Sequence, residues 1–416
     1  MATYLDQWLA GKVTLRPSTR RSYAEHIALY LRPGLGGIGL QELGDSHVEQ
    51  LYAAMREIGQ DVDESGELPS ELLGRLLAAR RFPEQARVLS PARLRRVHAT
   101  LMSALNNGVK RRKLPVNPAQ YVEVPRGRRP RAVVWTAERV ERWRATGEHP
   151  PVAVWTAEQT GAFLDAASGE RLYPIYHLIA YRGLRRGEAV GIRWQDASLA
   201  DRQLTIAQQI VQLGWATAIG APKTDSGERV VSLDKETVAV LTTWREHQDA
   251  ERRDADSAWQ DSGLIFTRVD GTALHPDVVT DTFHRIRKAA GLPPIRLHDL
   301  RHTAASLALQ AGVPMKAVSE QLGHSSFAIT ADTYTSVLPD VAAAAAEAVA
   351  GIVPRKPPAS PAQPRSQSVP NPPETGPQEE EKMIAEAGDM QVSEGGPRGA
   401  RTHNPRIKSP LLCRLS

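Results

Sequence analysis

Five short motifs in the second half of the sequence carry side chains suited to binding an anion and moving protons. Gly183-Leu184-Arg185-Arg186-Gly187-Glu188 puts arginines at a predicted helix start, and a guanidinium is a planar fork matched to the oxygens of a phosphate or carboxylate. Lys223 lies in Ala221-Pro222-Lys223-Thr224-Asp225-Ser226-Gly227-Glu228, a stretch with turn chemistry between two strand-like runs. In His298-Asp299-Leu300-Arg301-His302 the i, i+3 spacing sets His298 and Arg301 on one helix face, pairing a fixed cation with a ring that titrates near neutrality. Leu322-Gly323-His324 follows a predicted helix, and Tyr334 comes ten positions later. Taken singly, each has an ordinary reading: a glycine-bounded turn, a solvated lysine, a helix-surface cluster, a C-cap with its dipole partner, and a packing tyrosine.

Their order and spacing together are less ordinary. The succession Gly-Leu-Arg-x-Gly-Glu, a hairpin Pro-Lys-Thr, His-x-x-Arg-His, Leu-Gly-His and then Tyr closely resembles the tyrosine recombinase (phage integrase) family, over roughly Thr156 to Val337. Pro17-Ser18-Thr19 before a helix, and a later basic helix, also resemble that family's core-binding domain. The resemblance implies a site-specific DNA recombinase that integrates or excises a mobile element, with Tyr334 as nucleophile and Arg185, Lys223, His298, Arg301 and His324 as the other catalytic residues. It implies a 3′-phosphotyrosyl intermediate, a free 5′-hydroxyl, and rejoining without ATP, metal or any other cofactor. Its partners would be double-stranded DNA attachment sites and three further copies in a homotetramer on DNA, with room for an accessory directionality factor. The physics agrees, because an anionic phosphodiester is attacked only where fixed cations and donors meet the developing charge. Arg185 and Arg301 supply forks, His298 and His324 hydrogen bonds or proton transfer, and Lys223, by analogy with the family, the proton for the leaving oxygen. Glu188 is expected to orient a neighbouring arginine.

The elements that must position these groups read as mainly α: a helical core-binding domain, a mostly helical catalytic domain with a small antiparallel β-sheet, and a disordered C-terminal tail. Helices are predicted at Tyr4 to Leu9, Arg20 to Leu31, Ser46 to Ile58 and Pro91 to Lys110, the last with Leu94, Val97, Leu101 and Leu105 as its apolar stripe. These make a first domain over 1–114, with an insertion near 59–90. A basic linker is expected over 115–153, interrupted by Pro115, Pro118, Pro125 and Pro130. Val134-Trp135-Thr136-Ala137-Glu138 recurs as Val154-Trp155-Thr156-Ala157-Glu158; Thr156 and Gln159 have capping-box spacing, so the second copy opens the catalytic domain, 154–338, and the first falls in the linker. Within that domain, strands are predicted in Gln203 to Gln212 and Glu228 to Leu233, and helices elsewhere, including Phe327 to Tyr334. A C-terminal helix over 339–353 precedes a tail, 354–416, rich in Pro, Ser, Gln, Glu and Gly.

Composition permits this reading. The formal net charge is +5, so a polyanionic partner is allowed rather than demanded. The basic residues are concentrated, and Arg93, Arg95, Arg96, Lys110, Arg111, Arg112, Lys113, Arg126, Arg128, Arg129 and Arg131 form a candidate phosphate-contacting footprint, or else a solvated basic face. Cys413 is the sole cysteine, which excludes intramolecular disulfides and Cys-based zinc sites. The start of the chain lacks the pattern of a signal peptide and no apolar run approaches the ~20 residues of a membrane span, so a cytoplasmic protein without membrane contact is expected. Competing readings are a chromosome-dimer resolvase of the same class, a DNA-binding regulator without catalysis, and a metal-dependent transposase.

Overall fold

The computed structural model describes residues 1–60, 68–125, 130–222 and 225–324, with residues 127, 326, 347 and 350. The predicted helix at Phe327 to Tyr334, nearly all of the helix at 339–353 and the whole tail at 354–416 lie outside the described residues.

The chain opens with α1 (Ala2–Ala10), α2 (Pro17–His26), a π-helical turn (Ile27–Leu31), α3 (Arg32–Leu35), α4 (Asp45–Glu57), α5 (Glu71–Ala78) and α6 (Pro91–Lys110). Pro17 starts α2 at a position where no backbone N–H is needed, and Ser90 caps α6 through its hydroxyl. The stripe Leu94, Val97, Leu101 and Leu105 is buried as its spacing predicts, against Leu5, Leu31 and Leu51 in a first hydrophobic core. The segment expected as an insertion contributes to that core, since Leu73 and Leu76 of α5 are buried in it.

Next come β1 (Val133–Val134), α7 (Ala137–Thr146), β2 (Ala153–Val154), α8 (Ala157–Ala167), α9 (Tyr173–Arg182) and α10 (Arg186–Gly191). Within the segment expected as a linker, 115–153, Ala119 and Val122 pack in the first core, while Trp135, Val140 and Ala153 pack in a second. Prolines break regular structure there without preventing burial. The two copies of the repeat are structurally equivalent strand-to-helix entrances, paired in parallel with Val133 opposite Ala153 and Val134 opposite Val154. Trp135 Nε1 donates to the carbonyl of Pro294 at 3.2 Å and Trp155 Nε1 to that of Pro293 at 3.0 Å, so the indoles grip successive peptides. The predicted capping box is present in the second copy, Gln159 N to Thr156 Oγ1 at 3.2 Å and Thr156 N to Gln159 Oε1 at 3.1 Å. Around Trp155 an aromatic cluster fills the second core, with Phe163 centred 5.3 Å from Trp155 and 5.0 Å from Phe283.

The strands are β3 (Ala197–Ser198), β4 (Gln203–Ile206), β5 (Gln209–Leu213), β6 (Ala216–Gly220) and β7 (Arg229–Ser232), followed by α11 (Lys235–Ala255), α12 (Pro276–Ala289), α13 (Leu297–Gln310) and α14 (Met315–Leu322). The run predicted as one strand from Gln203 divides into β4, in an antiparallel sheet of order β3-β4-β7, and β5, in a hairpin with β6. The mainly helical fold with small antiparallel sheets is therefore observed. Among the described residues no helix is long and apolar enough to cross a membrane.

Because Trp135 is buried and hydrogen-bonded rather than part of a tether, Trp135→Ala should cost about 3–5 kcal/mol of folding stability, as for other large core truncations. Urea denaturation measures it, and a change within the roughly 0.5 kcal/mol typical of surface sites would mean that the segment is a tether after all.

Candidate active site

Gly183 ends α9 in the left-handed region, with φ +66°, where a Cβ would lie 2.6 Å from Leu322 Cδ2. This tight turn delivers Arg185 to the N-cap of α10. Glu188, one turn on, reaches back: the Arg185 backbone N–H donates to its Oε2 at 3.0 Å and Arg185 Nη1 to its Oε1 at 2.6 Å. Arg229, at the start of β7, grips the same carboxylate through Nη2 at 2.9 Å and Nη1 at 3.3 Å. Burial raises the Glu188 pKa, but the hydrogen bond and charge of Arg229, with the charge of Arg185, outweigh it and hold the carboxyl below its ordinary value.

The same arginines meet the end of α14. A helix C-terminus leaves carbonyls without intrahelical partners, and here three successive ones are each taken by a different arginine. Gln321 O accepts from Arg229 Nε at 2.6 Å, Leu322 O from Arg301 Nη2 at 2.6 Å, and Gly323 O from Arg185 Nη2 at 3.0 Å. Arg301 also donates through Nη1 to Gly183 O at 2.6 Å, joining the ends of α9 and α14. Gly323 is left-handed, with φ +63°, and a Cβ on it would come 2.6 Å from Ser226 O.

His324 follows directly. Burial lowers its pKa to about 3, reinforced by the charges of Arg301, Arg185, His302 and Arg229. On α13, burial and the charge of Arg301 lower His298 too, and burial with the charge of His298 takes His302 to about 4. The His298 and His302 rings meet edge to face, 5.0 Å apart. Arg296 and Asp299 fix the start of α13: the Arg296 backbone N–H donates to Asp299 Oδ2 at 3.0 Å, and its Nη2 to Oδ1 at 2.6 Å.

Of the residues singled out in the sequence, Arg185, Arg301, His298 and His324 are thus brought together. Lys223 and Tyr334 lie outside the described residues, as do Arg126, Arg128 and Arg129. In the basic stretch Arg96, Lys110, Arg111, Arg112, Lys113 and Arg131 are exposed. Arg93 and Arg95 are half-buried on internal partners: Arg93 pairs with Glu25 and covers the Tyr30 ring, and Arg95 donates to Gly127 O. Arg229 was not singled out, yet a signal exists. It shares the inward face of β7 with Val231, two residues on, which is 1% exposed, and a charge on an inward face requires a partner.

Removing one member of a buried ion pair strands the other. Arg229→Met should therefore destabilise the protein by about 3–5 kcal/mol, with part of the loss recovered when Glu188→Gln is added. Urea midpoints of the single and double variants test this, and purely additive losses would break the proposed link. The histidines predict the pH dependence. With an unfolded value near 6.5 and folded values of about 4 for His302 and about 3 for His324, the unfolded chain takes up protons that the folded site refuses. Their stabilisation is full above about 6.5 and falls as pH drops toward about 4. His302→Gln should flatten the fall in urea midpoint across that window, and an unchanged slope would assign it to other groups.

Residues 154–340 match the Phage integrase family. A XerC-like tyrosine recombinase of Caldanaerobacter subterraneus is 32% identical over 187 residues, which are 42% of this chain and 48% of that protein, so the chain spans about half the length of this relative. An integrase of Saccharopolyspora erythraea is 23% identical over 78% of this chain and 76% of its own. Among solved structures, the Tn1549 transposon integrase in complex with transposon right end DNA superposes with a TM-score of 0.59 at 17% identity, covering 84% of this chain and 99% of that one. A lambda integrase dimer bound to a COC′ core site gives 0.52 at 15% identity, covering 80% and 77%. Residues 154–340, which hold the motif order and the arginine-and-histidine cluster, thus resemble the phage integrase family of tyrosine recombinases, and the likeness to the solved structures shows the fold.

Proposed function

We propose that the protein is a site-specific recombinase that integrates or excises a mobile element by cutting and rejoining DNA through Tyr334. The observation that carries this reading is the convergence of Arg185, Arg301 and His324 on the last turn of α14, with His298 beside Arg301. Arg185 keeps 37% of its side chain exposed and open to a ligand. The two guanidinium groups would hold the non-bridging oxygens of the scissile phosphate and stabilise the charge of the pentacoordinate transition state. His298, neutral at pH 7 because burial and Arg301 lower its pKa, would accept the phenolic proton as the Tyr334 oxygen bonds to phosphorus. Lys223 would protonate the departing 5′-oxygen. The ester retained on Tyr334 makes rejoining independent of ATP, and neither metal nor other cofactor enters the scheme.

Duplex DNA attachment sites are the substrates in this reading. The likenesses to solved structures support it, since the Tn1549 integrase is held on transposon end DNA and a lambda integrase tetramer on a Holliday junction. Strand exchange between two duplexes calls for four cuts, hence a homotetramer on DNA, and a directionality factor would bias integration against excision.

The test is a nicked suicide substrate that traps the covalent adduct. The parent protein should form it in chelator, and Tyr334→Phe should bind DNA with unchanged affinity while forming none. A labelled adduct from that variant would remove Tyr334 from its role. Absence of any adduct from the parent would favour a DNA-binding regulator.

A further inference from the structure

The turn that leads to Lys223 is held from two sides. Gln209 Nε2, from β5, donates to Ala221 O at 2.9 Å. The next carbonyl, that of buried Pro222, accepts from both Nη1 and Nη2 of Arg16 at 3.2 Å each. Pro222 O belongs to the peptide unit whose nitrogen is that of Lys223. Arg16 comes from the other core: it is the N-cap of α2, with φ −59° and ψ 144°, the extended conformation that a following proline enforces. Its backbone is therefore stiff where the side chain departs. A second contact lies along the same hairpin. At Gly214, in the β5–β6 turn with φ +78°, a Cβ would come 2.5 Å from Arg21 Nη1 and 2.6 Å from Nη2, so the guanidinium of Arg21 lies directly over the turn. Helix α2 accordingly packs along β5.

We propose that Arg16 is a positioning residue for strand cleavage, acting on Lys223 through the Pro222 carbonyl; this rests on the reading of Lys223 as the proton donor. Arg16 touches neither the nucleophile nor the phosphate in this scheme. It fixes the peptide from which the lysine side chain must reach the leaving oxygen. In the step concerned, the Tyr334 oxygen–phosphorus bond forms as the P–O5′ bond breaks. The phenolic proton passes to His298, and O5′ takes a proton from the Lys223 ammonium to leave as a hydroxyl. With sulfur at the 5′-bridging position the leaving group departs as a thiolate and needs no proton, so whatever acts through Lys223 becomes dispensable.

The experiment uses the full chain and two nicked substrates, one with oxygen and one with sulfur at the 5′-bridging position, in single-turnover cleavage at saturating DNA. Arg16 is exposed, so Arg16→Ala should fold and bind DNA normally. It should cleave the oxygen substrate about 10-fold or more slowly, a share of the 10²–10⁴ a general acid contributes, and cleave the sulfur substrate within about twofold of the parent rate. Arg16→Lys, which keeps a donor, should recover part of the oxygen rate. Equal slowing on both substrates, or a loss confined to DNA affinity with a normal saturating rate, would overturn the inference and make Arg16 a structural or phosphate-contacting residue. Lys223→Ala run alongside separates the two readings. If sulfur fails to rescue it, the proton-donor role falls, and this inference with it; if sulfur rescues Lys223→Ala but not Arg16→Ala, only the role of Arg16 falls.

Discussion

Three arginines on one helix end hold this domain in register. The carbonyls of Gln321, Leu322 and Gly323 accept from Arg229, Arg301 and Arg185, which come from β7, α13 and the N-cap of α10. Charge-assisted hydrogen bonds of this kind are worth about 1.5–3 kcal/mol each, and the negative end of the α14 dipole adds attraction for cations. Their larger effect is geometric. Each arginine anchors an element distant in sequence to the same turn, so the guanidinium groups are aimed before any ligand arrives, the condition under which electrostatic stabilisation costs no reorganisation.

Crowding cations is self-repelling, and the fold offsets it at named places. Glu188, 1% exposed, stands between Arg185 and Arg229, and Asp299, equally buried, faces Arg296 at the start of α13. The imidazoles respond to what remains: burial first, then Arg301 for His298 and His324 and His298 for His302, holds all three below their ordinary values. The site thus combines permanent cations with neutral rings. For an anionic ester that division of labour is favourable, since the cations need no proton to stay charged and the rings remain able to accept one.

The parts legible in the sequence share a property: their meaning is local. Arg185, His298, Arg301 and His324 stand in short motifs whose order survives folding, and Ser90 with Pro91 and Gly323 mark helix ends, so α6 spans its predicted range and α14 ends where predicted. What escaped depends on partners far along the chain. The first copy of the repeat looked like linker because a two-residue strand has no visible period, and its identity comes from the ladder with Val154 and from Trp135 reaching Pro294. Strand β6, largely exposed and rich in small residues, has no inward face to advertise it. Arg229 was hidden by the habit of reading charge as surface, although the alternation that buries Val231 also turns Arg229 inward.

The two hydrophobic cores meet at the turn before Lys223 through polar contacts of exposed side chains: Arg16 on the Pro222 carbonyl and Arg21 over Gly214. Polar interfaces between packed halves of a chain generally allow relative motion. Gln209 holds the neighbouring carbonyl from within the hairpin and is indifferent to that motion; Arg16 is not. Under the proposed function, a duplex gripped by both halves would supply the energy that seats α2 on β5. Substrate binding would then be converted into placement of the proton donor, which is how binding energy from remote contacts comes to serve the reacting centre. Such an arrangement would tie cleavage to full engagement of the site, because a chain bound through one half alone would have its arginines in place and its leaving-group proton out of position.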